Sequence, residues 1–122
     1  MNRAVPDEMY QIDFAIHMGE SFNVTLALEL PPNLPGAISI SNYTVKGEIR
    51  PQPGSPTLTA SFTCEINTDT DTVTVSLPAT RTAEITPGRY AYDICMDRMI
   101  NGQMYRRYLL GGIFDILPSV TV

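Results

Sequence analysis

The chain has 122 residues, 43% hydrophobic and 17% charged, with a formal net charge of −5 and only eight lysines and arginines. That length fits one domain, which buries roughly two-thirds of the surface its unfolded form exposes and needs no metal or disulfide support to fold. Eight cations, clustered only at Arg106-Arg107, are too few to track a phosphate backbone or an anionic membrane surface, and no apolar run approaches the ~20 residues of a bilayer span.

Residues 1–9 form an N-terminal arm without the apolar stretch of a signal peptide, so the expected compartment is the cytosol or a particle assembled there. The arm carries no packing signal; it either clasps a neighbour or stays disordered. From Tyr10 onward the chain reads as one β domain reaching residue 122. Tyr10, Ile12, Phe14 and Ile16 alternate as a first strand.

The clearest strand runs from Ser21 to Leu30, where Phe22, Val24, Leu26, Leu28 and Leu30 take every second place. Side chains of successive strand residues point to opposite faces, so this pattern predicts a half-buried strand. Prolines and Gly36 end it, and the loop from Leu34 to Ile40 is a weak candidate for a partner contact. Asn42 to Arg50 repeats the alternation, with Tyr43, Val45, Gly47 and Ile49 inward. Leu58, Ala60, Phe62, Cys64 and Ile66 mark the next strand, and Val73, Val75 and Leu77 a short one after it. Ala79 to Ile85 is the only credible helical turn.

The last third is a hairpin. Asn101-Gly102 demands positive φ at both central residues of a type I′ turn. With those two as the loop, Asp97 faces Arg106, Ile94 faces Leu109 and Tyr90 faces Ile113. In that register Leu109 and Ile113 share one face, while Leu110, Phe114 and Ile116 occupy the other. Either a bulge at Gly111-Gly112 flips the phase or both faces are covered; glycine pairs inside a strand favour the bulge, which sends Phe114 and Ile116 to the core.

The residues that carry chemistry elsewhere are sparse here. His17 is the lone histidine, at a strand end, and it cannot supply a catalytic triad or a zinc site by itself. Cys64 and Cys95 are expected as free thiols. Asn67, Asp69 and Asp71 resemble the start of a calcium loop but lack its later ligands, so a solvated turn is expected. No catalytic, cofactor or metal residue is assigned, and no enzyme is expected. The partner signal is an apolar hairpin tip, Met96, Met99, Ile100, Met104 and Tyr105, where a free tip is usually polar. The alternative is that these side chains fold back onto their own domain.

The motif order carries a further signal: Gly19 to Leu26, Asn42 to Pro51, Leu77 to Ala83, Pro87 to Ile94, then Gly112 to Thr121. This series resembles the small immunoglobulin-like β-sandwich virion proteins of tailed bacteriophages, and is similar to the N-terminal domain of siphophage upper baseplate proteins. The implied fold is an immunoglobulin-like antiparallel β-sandwich of about seven strands, with Tyr90 or Tyr92 tying its strand to the preceding crossover. The implied function is a non-enzymatic part of a tail, baseplate or head assembly, in the virion. Its partners would be other virion proteins and copies of itself in a ring or lattice, with neither nucleic acid nor membrane. Because the sequence stops directly after the sandwich, a capsid decoration or cement protein suits it as well as a baseplate one. A carbohydrate-binding, adhesin-type module is the alternative from another class, weakened by the absence of Trp.

Overall fold

A computed structural model describes residues 10–28 and 43–121. Among them nine strands and one short helix follow in the order β1 (Tyr10–Gln11), β2 (Phe14–His17), β3 (Phe22–Ala27), β4 (Thr44–Arg50), β5 (Ala60–Ser61), β6 (Thr63–Asn67), β7 (Thr72–Leu77), α1 (Ala79–Thr82), β8 (Gly88–Ile100) and β9 (Gln103–Leu117). The larger sheet has the order β1-β9-β8-β4-β5, with β2 also on β9, and the smaller has the order β3-β7-β6. The two sheets close on each other as an all-β sandwich of immunoglobulin-like character. β1 and β2 lie along the same stretch of β9, and β5 and β6 are one stretch that changes sheets, so the nine strands are seven runs of chain.

Alternation explains the core. Val45 and Ile49 on β4, Val73, Val75 and Leu77 on β7, and Phe22 and Leu28 at either end of the β3 run are all buried. All four phenylalanines of the chain, Phe14, Phe22, Phe62 and Phe114, meet with Tyr92 at centroid separations of 4.9–6.1 Å, several edge to face. Such pairs add about 0.5–1.5 kcal/mol each beyond the area they bury. α1 packs through Thr82, whose fully buried hydroxyl accepts from the Gly19 N–H (3.0 Å) and donates to the Glu20 carbonyl (2.8 Å). That pair fastens the crossover to the turn between β2 and β3.

Four sequence expectations change in the structure. The stretch from Leu58 to Ile66 is not one strand: it pairs with β4 as far as Ser61 and with β7 from Thr63, turning at Phe62. The expected helical turn to Ile85 is helical only over Ala79–Thr82. The N-terminal edge is parallel to β9, not antiparallel.

The fourth change concerns the hairpin. Asn101 and Gly102 have φ of 51° and 78°, as the turn type requires, and Asp97 faces Arg106. The phase does flip, and Phe114 and Ile116 are buried, but the extra residue is Leu109. Ile94 therefore faces Leu110, not Leu109, and Tyr90 faces Phe114, not Ile113. The glycines serve another purpose: a Cβ on Gly112 would lie 2.6 Å from the Ile12 carbonyl and 2.7 Å from the Asp13 carboxylate. The missing side chain lets the N-terminal edge lie directly on β9. Asp13 accepts from the Ile113 N–H (2.9 Å), and the Tyr92 hydroxyl donates to the Ile12 carbonyl (2.6 Å).

Candidate functional surfaces

The hairpin outruns the sandwich. Its ladder continues past Asp97–Arg106 through Arg98–Tyr105, Met99–Met104 and Ile100–Gln103. Met99 and Met104 face each other across the strands and are 58% and 53% exposed; Tyr105, on the other face, is 50% exposed. Ile100 is half-buried on that face. Of the five residues singled out at the tip, Met96 is separate: it points into the sandwich and is buried in the core. The root of the tip is fixed by Arg106, whose guanidinium grips Asp97 through two hydrogen bonds of 2.7 and 2.9 Å. Hydrogen bonding to Arg106 holds the Asp97 carboxyl below the usual carboxylate range, against its burial. Arg98 lies over the Tyr43 ring at 5.7 Å from its centroid, bracing the other face.

The outer face of the larger sheet holds a trough of about 770 Å³. Small side chains at the outward positions Ala91 and Cys95 leave room for it between longer neighbours. Its rim carries long ones: Lys46, Arg50, Arg106 and Tyr108. Arg50 bonds Glu48 (2.8 Å) and the Ser55 carbonyl (3.0 Å), which holds the turn at 51–55 against the rim. Arg89 pairs with Asp115 (3.0 Å). The charges on this face are therefore largely matched. Asp93 is the exception: burial and then the neighbouring Glu48 push its carboxyl up, partly offset by Arg106 and Arg50.

A cleft of about 360 Å³ with a mixed lining, Thr25 and Arg107 among it, opens beside β1 and the end of β3. Leu26, Leu28, Leu109 and Leu110 line it, with Tyr10, Ile12 and Tyr108 around its mouth. Tyr10 is 76% exposed and Ile12 45%, although their alternation with Phe14 and Ile16 had placed them on the core phase.

The remaining sequence candidates are scattered. His17 is exposed, 3.7 Å from Glu20. Cys64 and Cys95 are free; burial, then the charge of Cys95, pushes the Cys64 thiol up to about 11, and burial raises Cys95 as well. Asn67 accepts from the Asp69 N–H in a local turn, and among the described residues no three His, Cys, Asp or Glu side chains converge. Among those residues no helix is long and apolar enough to cross a membrane. The N-terminal arm and the loop from Leu34 to Ile40 lie outside the described residues.

The fold places the chain among immunoglobulin-like β-sandwiches. The Tyr90 hydroxyl donates to the Thr86 carbonyl four residues upstream, the tie expected after the crossover of such a fold. Compared with family models and with curated proteins, the sequence matches none.

Proposed function

We propose that the chain is a non-enzymatic structural component of a tailed bacteriophage particle, acting through protein contacts in a tail, baseplate or head assembly; a capsid decoration or cement role is one form of the same reading. The observation that carries it is the hairpin tip, a two-stranded end on which Met99, Met104 and Tyr105 are each at least half exposed. Methionine adapts to irregular partner surfaces, and an exposed apolar end suits burial by a partner. The order of strand and turn motifs adds the resemblance to virion sandwiches. The test is incorporation: particles are banded from infected cells making the wild-type chain or its Met99→Asp/Met104→Asp variant, and the chain is quantified by mass spectrometry. A fixed wild-type copy number and at least a tenfold loss for the variant are expected. A wild-type chain absent from banded particles overturns the reading.

A second reading, carbohydrate binding, is favoured by the trough alone. Matched guanidinium and carboxylate groups around a half-exposed tyrosine suit a neutral ligand rich in hydroxyls. A glycan array probed with the wild-type chain and Tyr108→Ala checks it: binding that the substitution removes supports it, and no binding discards it.

A further inference from the structure

We infer that the trough on the larger sheet binds a neutral glycan, and that Asp93 anchors it by accepting from two adjacent hydroxyls of one sugar ring. This rests on the carbohydrate reading above and names its ligand class and its anchoring residue.

Asp93 stands apart from the other carboxylates of that face. Glu48 is held by Arg50, Asp97 by Arg106 and Asp115 by Arg89. Among the described residues Asp93 makes no hydrogen bond or ion pair. Its neighbours leave it room: Gly111 lies opposite on β9, and Ala91 and Cys95 flank it along β8. Its partner on β4 is Glu48, a like charge directly across the strands, which destabilises a sheet. Burial and Glu48 push its carboxyl toward the neutral form, against Arg106 and Arg50. An exposed acid that opposes folding and lacks a partner within its own chain is available to a ligand.

The surrounding charges select the ligand. Lys46, Arg50, Arg89 and Arg106 line the trough and are balanced by Glu48, Asp93, Asp97 and Asp115. A cation at Asp93 would meet the guanidinium groups of Arg50 and Arg106, and an anion would meet Asp93 and Glu48. A hydroxyl carries no charge and both donates and accepts, while an ionised carboxylate only accepts, through two oxygens. Two neighbouring hydroxyls match it.

The site is built before a ligand arrives. Arg50 donates to the Ser55 carbonyl (3.0 Å) and to Glu48 (2.8 Å), fixing one wall, and Asp97 fixes Arg106 on the other. A ligand need not order these side chains, which lowers the cost of binding. Tyr108, 41% exposed, and Ile113 offer apolar surface to the C–H face of a sugar ring. The volume of about 770 Å³ falls within the ~300–1,000 Å³ of small-ligand sites.

Binding by the full chain tests this. One array carrying neutral, sialylated, sulfated and amino-sugar glycans is probed with wild type, Tyr108→Ala and Asp93→Asn, and the best-bound glycan is then titrated in solution by calorimetry. Neutral glycans are expected to bind, and Asp93→Asn to weaken the best of them at least tenfold. The unfolding midpoint of Asp93→Asn at pH 7 should stay at or above the wild-type value, so that unfolding cannot account for the loss. Binding that Tyr108→Ala removes and Asp93→Asn leaves intact overturns the anchor and spares the carbohydrate reading. A preference for charged glycans that both substitutions weaken overturns the neutral ligand class and again spares that reading. Binding to no glycan, or binding that neither substitution touches, overturns both.

Discussion

The β8–β9 ribbon pairs from Gly88 to Ile100 with a single bulge at Leu109, yet its two ends meet different surroundings. At the root, Phe114, Ile116, Ile94 and Leu110 are buried between the sheets. At the tip, five rungs beyond Ile94–Leu110, Met99 and Met104 meet across the strands with more than half of each in water. Backbone pairing is antiparallel on both sides of the Leu109 bulge. What differs is the second sheet, which covers the root and not the tip. The comparison separates two uses of apolar residues: the root holds the fold, and the tip leaves it unsatisfied.

The root is where the largest effect is expected. Phe114→Ala removes a fully buried ring that touches Phe14, Phe22, Phe62 and Tyr92. Loss of transfer energy and the remaining cavity should cost about 3–5 kcal/mol. Since domains are stable by only about 5–15 kcal/mol, a urea midpoint should fall sharply or the variant should not fold. A midpoint within error of wild type would mean that the aromatic cluster is not the core.

Gly112→Ala tests how the root is closed at its edge. The added methyl would collide with the Ile12 carbonyl, a backbone atom that cannot swing away, at a φ of 154°. Displacement of the N-terminal edge should cost about 1–3 kcal/mol. It should also expose residues 10–17 to limited proteolysis while the rest of the sandwich resists.

This position shows what the sequence does and does not disclose. The inward residues of β4 and β7 and the Asn101-Gly102 turn were legible because their causes are local: a period of two and a required positive φ. The phase flip in β9 was legible too, since Phe114 and Ile116 could not both share a face with Leu109. Its place was not. Gly111-Gly112 attracted the bulge, but those glycines answer to a segment a hundred residues earlier, and no local pattern records that neighbour. The crossing at Phe62 was hidden for a similar reason, because alternation continues unbroken while the pairing partner changes. Met96 was grouped with the tip by proximity in sequence; its face, set by the register, sends it inward.

Between root and tip stands the Asp97–Arg106 pair. Asp97→Asn should cost about 1–2 kcal/mol at neutral pH, a charged hydrogen-bonded pair discounted for the partial exposure of Arg106. The folded carboxyl titrates below its unfolded value, so this contribution is complete above the unfolded value, about 4, and is lost as pH falls through the folded one. Wild type and variant should therefore converge in acid. Asp93 on the same face has the opposite sign: its folded value is raised, so its charge opposes folding at neutral pH. Asp93→Asn should produce a smaller change, a gain in midpoint at pH 7 that disappears below the unfolded value.

The smallest effect on stability is expected where the effect on assembly is greatest. Met99→Asp/Met104→Asp alters only side chains already in water and leaves the ladder hydrogen bonds intact, so the unfolding free energy should move by no more than about 0.5 kcal/mol per site. A loss of several kcal/mol would show that the tip packs on its own domain, and the comparison between the two ends of the ribbon would fail. An unchanged midpoint with loss of incorporation into particles would put the use of these methionines outside the fold. A strand pair that costs the chain nothing to mutate, and costs the assembly its contact, is a surface kept apolar for a partner.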